Sequence, residues 1–522
     1  MMTSETPSAG TLLRQACEKY WDRPLVTLDG MTWTYGEAWK CGGRLARALT
    51  EEGLERGDRA ALLMSNRPEY VVGVLASVQG GFVNVPLSDM LRPAEYEYIL
   101  SDSGARAVVT SPNFTDVVAG IRSDLPDLET VLAIPDDPPG DKLSIGGMLD
   151  EYRPIDPVVT FGSEAPFRLT YTGGTTGKPK GAYQTQGAAA MMMLALAIEI
   201  AARPYEEMLL TTPLAHAAGY YQLSAMTRGA HFRLTRGFDA GGFLGIVNDY
   251  DVTWTFVVPT ILYRILDHEL LSESDVSSID TIVYGAAPVS PKRLSEAIDV
   301  FGDIFIQLYG QTETAALATS LQKSDHRDDV ERFDSVGTPA ILTEVRIADP
   351  ADETSIDPRS PGEAGEILVR APYTFDRYHG RAEETEATIV DGWVRTGDIG
   401  RFDESGYLHL LDRKDDVIIT GGMNVYCNEV EGVLGGIPAV KQVAIVGIPD
   451  DDWGTAVHAV VVVDGADLSP SDVEAFADEN LADYKKPKSV EFVERIPTTA
   501  HGKFDKDAIR NRYERARNVE SS

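Results

Sequence analysis

Hydrophobic residues follow two alternating patterns in the first part of the chain. The segment 37–51 is amphipathic and 69–79 is also helix-like, whereas 59–64, 82–86 and 107–109 are short apolar runs. Short continuous runs are typical of buried strands, and longer periodic segments are typical of helices. This alternation predicts a parallel or mixed β-sheet that is covered by helices.

Strand-like runs return further along the chain. The segments 208–212, 254–258, 281–284 and 304–308 are again short and apolar, which predicts more helix-covered sheet. The most apolar stretch, 187–202, is interrupted by a glutamate and falls short of the ~20 residues that a bilayer requires. It predicts a buried helix and no membrane span.

The chain changes character after residue 335. Glycine, proline and aspartate are frequent between 335 and 412, which predicts a small β-rich unit. The charged pentapeptide 412–416 separates two apolar blocks, as a hinge or domain boundary does. The remaining segment has the pattern of an α+β domain, with strands at 442–446, 458–463 and 489–492 and a helix at 472–479.

We therefore predict an α/β protein with two domains. A large N-terminal domain of helix-covered sheets, residues 1–412, includes the β-rich unit at about 335–412. A small mobile domain of the α+β type, residues 413–522, follows it. The length agrees with this division, because a chain of 522 residues exceeds what one hydrophobic core usually serves.

The composition is that of an acidic globular protein, with 43% hydrophobic and 25% charged residues. Asp and Glu number 81 against 47 for Lys and Arg, which gives a formal net charge of −34. Such a surface repels phosphate backbones and anionic lipids, so we expect no nucleic acid partner. An acidic surface with scarce lysine fits a high-salt habitat as well as an ordinary acidic cytosolic protein.

Three cysteines, Cys17, Cys41 and Cys427, are scattered along the chain. They are too few and too far apart for a disulfide framework or a zinc site. The polar N-terminus also lacks the basic start and apolar run of a secretory signal. We therefore expect a protein of the reducing cytoplasm, and a homodimer stays open.

A glycine-rich segment follows the apolar run 167–170 and reads YTGGTTGKPKG over residues 171–181. Glycines let successive N–H groups point inward, while threonine hydroxyls and two lysines add donors and positive charge, which together suit a polyphosphate. The segment differs from a Walker A loop, because Pro179 stands where that loop has Ser or Thr. The predicted nucleotide contacts are Thr172, Gly173, Gly174, Thr175, Thr176, Gly177, Lys178 and Lys180.

Further short motifs follow this loop. They are PLAH at 213–216, YGAAP at 284–288, QLYGQTE at 307–313, GWVRTGD at 392–398, DRKDD at 412–416, GGMNV at 421–425 and PTTAHGK at 497–503. In this order, the motifs closely resemble those of the adenylate-forming superfamily. That superfamily contains acyl- and aryl-CoA synthetases, peptide-synthetase adenylation domains and luciferases. Within it, the chain looks most like the AMP-dependent acyl-CoA synthetases.

The resemblance implies a reaction in two steps that uses ATP, Mg²⁺ and CoA. A carboxylate attacks the α-phosphate of ATP and expels pyrophosphate, and a thiol then displaces AMP from the acyl-adenylate. Because one anion attacks another, positive charge must stabilise the transition state of the first step. By resemblance, Lys503 lies between the carboxylate and the α-phosphate, Thr312 contacts the α-phosphate, and Glu313 is the Mg²⁺ ligand.

The resemblance also implies residues that bind the nucleotide and CoA. Asp398 suits the ribose, because a carboxylate accepts hydrogen bonds from both vicinal hydroxyls. Gly421 and Gly422 are implied to approach CoA after the C-terminal domain turns about a hinge at Asp415. By the same resemblance, Arg413 also contacts the ribose. The implied adenine contacts are Gly285, Ala286, Ala287 and Tyr309.

The acid pocket is predicted from His216, Tyr220, Tyr221 and Gly310. Tyrosine rings pack well against an alkyl chain or an aryl ring. No carboxylate stands near position 216 to pair the ammonium of an amino acid, so the far end of the acid is predicted to be uncharged. A medium- or long-chain fatty acid is the first expectation, and an aryl acid is the second.

Four other functions are weighed against this prediction. An amino-acid adenylation domain would want a carboxylate where His216 stands, and a nucleotide-binding sensor should have lost Lys503 or Glu313. An acyl-AMP ligase that loads a carrier protein is disfavoured by the hinge motif and by the Gly421–Gly422 pair. A luciferase-like oxygenase would share every motif, so light emission or oxygen consumption must separate it.

Overall fold

The computed structural model describes most of the chain and divides it into two compact units. One unit contains residues 1–174, 178–345 and 369–394, and the other contains 175–177, 346–368 and 395–522. The described residues are 7–134, 152–154, 162–172, 178–326, 330–420, 422–450, 453–463, 465, 468–498 and 504–520, with the backbone alone at 330–331 and 514–520.

The described strands are numbered in chain order. They are β1 (Pro24–Leu28), β2 (Met31–Thr34), β3 (Arg59–Leu63), β4 (Val83–Leu87), β5 (Ala105–Thr110), β6 (Thr130–Ala133), β7 (Pro166–Tyr171), β8 (Gly181–Thr185), β9 (Glu207–Leu210), β10 (His231–Leu234), β11 (Trp254–Val257), β12 (Thr281–Gly285), β13 (Phe305–Tyr309), β14 (Thr319–Leu321), β15 (Thr338–Pro339), β16 (Glu344–Ala348), β17 (Gly365–Arg370), β18 (Arg377–Tyr378), β19 (Ile389–Val390), β20 (Trp393–Phe402), β21 (Leu408–Arg413), β22 (Ile418–Thr420), β23 (Met423–Val425), β24 (Val440–Asp450), β25 (Gly454–Val463) and β26 (Ser489–Phe492).

The described α-helices are numbered in the same way. They are α1 (Ala9–Lys19), α2 (Tyr35–Glu51), α3 (Pro68–Gly80), α4 (Pro93–Ser103), α5 (Thr115–Ile121), α6 (Gln186–Glu199), α7 (Ala217–Met226), α8 (Ala240–Tyr250), α9 (Pro259–Leu266), α10 (Pro291–Phe301), α11 (Ala382–Thr388), α12 (Cys427–Leu434), α13 (Pro470–Asn480) and α14 (Lys506–Glu520).

A nine-stranded sheet lies in the first unit, with the order β15-β14-β13-β12-β11-β9-β10-β1-β2. Its strands from β13 to β1 run parallel, while β14, β15 and β2 run antiparallel to their neighbours. Every residue of β11 and β12 is buried, as expected for strands that are covered on both faces. The predicted α/β fold is confirmed.

A second, seven-stranded sheet of this unit has the order β18-β8-β7-β4-β3-β5-β6. One hydrophobic core joins residues of both sheets to α1, α2, α3, α6 and α7, so these helices form a layer between the sheets. The helix α6 coincides with the apolar stretch that predicted a buried helix. In the part of the chain that the structure describes, no helix has the length and apolar character to cross a membrane.

The second unit contains the three-stranded sheet β24-β25-β26 and the two-stranded hairpin β22-β23. The helices α12 and α13 pack on a core with β24 and β25, which confirms the α+β pattern of this segment. A five-stranded sheet has the order β16-β17-β20-β19, with β21 paired to β20, where the sequence predicted the β-rich unit. The second unit contains residues on both sides of position 412, so the predicted boundary there stays a prediction.

Candidate active site

The glycine-rich segment connects the two strands of an antiparallel hairpin. In the register of β7 and β8, Tyr171 stands opposite Gly181, and the Thr172 N–H donates to the Lys180 carbonyl at 3.0 Å. The hairpin therefore fixes both ends of the segment. The predicted contacts at 173–177 lie outside the described residues.

The two lysines of the segment have partners within the first unit. Lys178 Nζ lies 5.1 Å from the centre of the Tyr98 ring. Lys180 Nζ lies 2.6 Å from Glu384 Oε2 and 5.2 Å from the centre of the Tyr378 ring. Ammonium groups held by a ring or a carboxylate stay close to the hairpin, where the sequence predicts a polyphosphate.

A polar network that sequence analysis missed supports this hairpin. Asp102 accepts hydrogen bonds from the Tyr171 hydroxyl at 2.8 Å and from Arg381 Nη2 at 3.0 Å. The same Arg381 nitrogen donates to the Tyr98 hydroxyl at 2.8 Å, and that hydroxyl donates to the Pro179 carbonyl at 3.0 Å. Burial and the bond to Asp102 raise the pKa of Tyr171, so its hydroxyl stays a donor. No motif marks these residues in the sequence.

The catalytic candidates Thr312 and Glu313 lie on a short turn after β13. Glu313 Oε1 accepts a hydrogen bond from the Tyr378 hydroxyl at 2.7 Å, and its backbone carbonyl accepts from the Phe375 N–H at 2.8 Å. Burial, followed by the charge of Glu313, raises the pKa of Tyr378 and keeps it protonated. Tyr378 therefore orients one carboxylate oxygen, and sequence analysis missed this role.

The predicted Mg²⁺ ligand can be tested against the donor set. Over the described ranges, no group of three or more His, Cys, Asp or Glu side chains is arranged to hold a metal. Mg²⁺ commonly takes one or two carboxylates together with water and substrate phosphates. The single carboxylate of Glu313 fits an ion of that kind.

The predicted adenine residues end the strand β12, beside β13. These strands are parallel, with Gly285 next to Leu308, so their carboxyl ends meet at one edge of the sheet. A Cβ on Gly285 would lie 2.5 Å from the Leu308 carbonyl oxygen, which explains the glycine. Ala286 has a left-handed φ of 67°, and it is exposed while Ala287 and Tyr309 are half-buried. This edge of a sheet is where ligands commonly bind in α/β proteins.

The acid-pocket candidates belong to α7 and to the turn that precedes it. His216 stands at the N-cap position of α7, and Tyr220 and Tyr221 are both buried. The Tyr221 ring packs against Trp254 and Phe256 of β11, with ring centres 6.0 and 4.9 Å away. The two tyrosine rings therefore have different neighbours, because Tyr220 packs against Arg168.

Tyr220 packs against a cation that sequence analysis missed. The guanidinium carbon of Arg168 lies 4.5 Å from the centre of its ring, and Arg168 is 2% exposed. The last acid-pocket candidate, Gly310, has a packing role, since a Cβ there would lie 2.4 Å from the Leu317 nitrogen.

The predicted ribose residues, Asp398 and Arg413, form a pair in the second unit. They stand opposite each other on β20 and β21, with Arg413 Nε 3.2 Å from Asp398 Oδ1. The Asp398 side chain is 6% exposed and that of Arg413 is 45% exposed. Glu366 lies on the neighbouring strand β17 and pairs with Arg395 of β20, with 2.6 Å between Glu366 Oε2 and Arg395 Nη2. Sequence analysis missed that buried ion pair.

The hinge candidate Asp415 is exposed in the turn Lys414–Asp416 of the second unit. One residue before this turn and one residue within it are held in place. Asp412 accepts a hydrogen bond from the Cys427 N–H, and Arg510 of α14 binds Asp416. Burial raises the pKa of the Cys427 thiol, which marks it as structural.

The catalytic candidate Lys503 lies outside the described residues, but its loop has a described stem. Thr498 and Phe504 form an antiparallel bridge, and the Asp505 N–H donates to the Pro497 carbonyl at 2.9 Å. Of the two residues predicted to approach CoA, only one is described. Gly421 lies outside the described residues, whereas Gly422 has a left-handed φ of 81° between β22 and β23.

Comparison with known proteins agrees with these features. The model of the AMP-binding enzyme family matches residues 13–379, and that of the AMP-binding enzyme C-terminal domain matches 429–503. The chain belongs to the AMP-binding enzyme family, which confirms the adenylate-forming resemblance. It is an enzyme of the acid–thiol ligase class, and two of its relatives are named as CoA-forming members.

Two similar proteins and one solved structure illustrate these similarities. A feruloyl-CoA synthase from Amycolatopsis sp. is 37% identical over 94% of this chain and 95% of its own. The medium/long-chain-fatty-acid–CoA ligase FadD8 of Mycobacterium tuberculosis is 34% identical over 97% of this chain and 90% of its own. The structure of the amide bond synthetase McbA from Marinactinospora thermotolerans superposes with a TM-score of 0.87, at 32% identity over 97% of this chain and 100% of that chain.

Proposed function

We propose that this protein joins a fatty or aryl carboxylic acid to CoA through an acyl-adenylate, as an AMP-forming ligase of the cytoplasm. The observation that carries the proposal is the Glu313 carboxylate, held by Tyr378 on the turn after β13, beside the end of β12. The same unit holds Lys178 and Lys180 at the hairpin of the glycine-rich segment. This carboxylate and these two ammonium groups support an adenylation site in this unit.

The first step joins two anions, so the chain must supply positive charge and orientation. We assign Lys178 and Lys180 to the phosphates of ATP and Thr312 to the α-phosphate. We assign Lys503 to the carboxylate and the α-phosphate together, where its ammonium neutralises the charge that develops as pyrophosphate leaves. Bound Mg²⁺, held by Glu313 and the phosphates, would add Lewis-acid stabilisation of the same charge.

The second step exchanges AMP for a thiol. We assign Gly421 and Gly422 to the approach of CoA, and Asp415 to the turn of the C-terminal domain that brings this loop forward. The thiol sulfur bonds to the acyl carbon, the bond from that carbon to the AMP oxygen breaks, and the thiol proton leaves to solvent. The names of the two CoA-forming relatives support CoA as the acceptor.

Two other acceptors compete with CoA. The similar structure named as an amide bond synthetase makes an amine one alternative. The phosphopantetheine thiol of a carrier protein is the other, because it presents the same reactive group as CoA. Both use the same adenylation step, so an acceptor test separates them.

A panel of acids tests this proposal. Octanoate, palmitate, benzoate, cinnamate and 4-hydroxycinnamate are each supplied with ATP and Mg²⁺, and pyrophosphate exchange is measured. AMP release is then measured with CoA, with a phosphopantetheinylated carrier protein, with an amine, and with none. We expect exchange with at least one acid and AMP release that depends on CoA.

Controls for this panel come from two glutamates. Glu313→Gln should lower exchange at least about 100-fold, because the charge of the metal ligand is lost. Glu344→Gln removes an exposed carboxylate of β16 and should leave exchange unchanged. If the protein binds ATP but supports exchange with no acid, the ligase proposal fails and a nucleotide sensor replaces it.

A further inference from the structure

Three adjacent strands carry a row of buried polar side chains beneath α7. In the register of the second sheet, Arg168 of β7 stands between Asn84 of β4 and Gln184 of β8. Asn84 is 3%, Arg168 is 2% and Gln184 is 6% exposed. Such residues are rare in a protein interior unless they are paired, so the row demands an explanation.

The central residue of this row lacks the partners that a buried cation normally has. Arg168 Nη2 donates one hydrogen bond, to the Ala215 carbonyl at 3.2 Å, and the guanidinium lies over the Tyr220 ring. Its Nε has no hydrogen-bond partner. Within the described ranges, no carboxylate forms an ion pair with Arg168. A buried guanidinium therefore keeps unused hydrogen-bonding capacity.

Arg168 lines a small cavity together with other polar side chains whose polar atoms lack hydrogen-bond partners. The Tyr70 hydroxyl, Asn84 Oδ1 and Gln222 Nε2 are buried without a hydrogen bond, and all three residues line this cavity. Its volume is about 10 Å³, roughly the space for one water or one hydroxyl group. Buried polar atoms are nearly always hydrogen-bonded, so this concentration indicates a polar guest.

The unpaired atoms define the chemistry of that guest. Arg168 Nε and Gln222 Nε2 are donors, Asn84 Oδ1 is an acceptor, and the Tyr70 hydroxyl can act as either. A hydroxyl group matches this set, because it accepts from the donors and donates to Asn84. A carboxylate matches it less well, since its second oxygen would bring a further acceptor towards Asn84.

The cavity borders the segment from which the acid pocket is predicted. Leu214 and Gly219 line it, and Arg168 is bonded to the carbonyl of Ala215 in the same segment. Resting on the proposed function, we infer that this cavity binds a hydroxyl group at the far end of the acid substrate. The substrate class is then a hydroxylated carboxylic acid, such as a phenolic aryl acid, rather than an unsubstituted fatty acid.

Matched pairs of acids test this inference. Pyrophosphate exchange is measured with 4-hydroxycinnamate and cinnamate, and with 8-hydroxyoctanoate and octanoate, in the wild type and three variants. Arg168→Met removes the guanidinium at similar length, and Tyr70→Phe removes one hydroxyl with little change of shape. Ser224→Ala removes a buried hydroxyl of the same helix that bonds to the Tyr220 carbonyl and does not line the cavity.

The preference for the hydroxylated acid is the quantity that decides. We expect Arg168→Met to lower the ratio of kcat/KM values by about 10- to 100-fold, because a charged hydrogen bond is lost. Tyr70→Phe should lower it by roughly 3- to 10-fold, and Ser224→Ala should leave it unchanged. Equal ratios in the wild type and both cavity variants would overturn the inference and leave a structural water in the cavity.

Two further outcomes are a variant that does not fold and a protein that supports exchange with no acid. If Arg168→Met does not fold, Tyr70→Phe decides alone. If no acid supports exchange, the proposed function fails, and thermal shifts of the wild type and Tyr70→Phe with 4-hydroxycinnamate and cinnamate decide the inference separately. A larger shift with the hydroxylated acid that Tyr70→Phe abolishes supports the hydroxyl site, and equal shifts reject it.

Discussion

At the scale of single residues, close backbone contacts decide which side chains fit at the carboxyl ends of β12 and β13. A Cβ on Gly310 would lie 2.4 Å from the Leu317 nitrogen and 2.5 Å from the Ala316 carbonyl carbon. Real Cβ atoms do not approach backbone atoms so closely, so either the turn or its neighbour must move. Ala316 already has a left-handed φ of 62°, which leaves this backbone little freedom to adjust.

Gly310→Ala should therefore displace the turn that carries Thr312 and Glu313. A displacement of about 1 Å at a reacting group commonly costs roughly 100-fold in rate, so we expect a loss of that order in kcat for pyrophosphate exchange. The matched control is Gly245→Ala in α8, where a Cβ would meet nothing within 4 Å and should be neutral or stabilising. Full exchange activity in Gly310→Ala would show that the contact is not limiting.

At the scale of secondary structure elements, the sequence predicted the strands and helices better than their polar contacts. The buried strands of both sheets were visible because short apolar runs carry their own pattern. The bond between Tyr378 and Glu313 joins residues far apart in the chain, and neither periodicity nor a motif marks it. The same holds for Arg168, which the sequence placed in an apolar run but which folding buries beside Tyr220.

The hairpin of β7 and β8 gives a second prediction at this scale. Arg381 binds Asp102, which also accepts a hydrogen bond from the Tyr171 hydroxyl at the end of β7. Arg381→Gln should therefore weaken the contacts that hold the start of the glycine-rich segment. We expect KM for ATP to rise about 10-fold with a smaller change in kcat, as the loss of one charged hydrogen bond allows. Arg377→Gln, an exposed arginine of β18, is the control. A KM that stays unchanged in both variants would remove Asp102 and Arg381 from the site.

At the scale of the whole molecule, the proposed reaction has two steps, and the turn of the C-terminal domain about the hinge motif separates them. The structure ties α14, the helix that follows the segment of Lys503, to this motif inside the second unit. Lys506, at the start of α14, binds Glu431 of α12 at 2.8 Å, and Arg510 of the same helix binds Asp416. The sequence showed the motifs but not these ion pairs, which depend on how α12 and α14 pack. The segment of Lys503 and the motif should therefore move together when the hinge turns.

This coupling predicts opposite effects of two substitutions. Lys503→Ala should lower pyrophosphate exchange at least about 100-fold, yet still convert supplied acyl-adenylate and CoA to thioester, because its charge serves the first step. Asp415→Pro should keep exchange and lose thioester formation, because proline restricts the backbone of the turning residue. Asp415→Ala removes the same carboxylate but leaves the backbone free, so it should behave as the wild type. Equal loss of both half-reactions in Lys503→Ala, or normal thioester formation in Asp415→Pro, would contradict this division of the reaction.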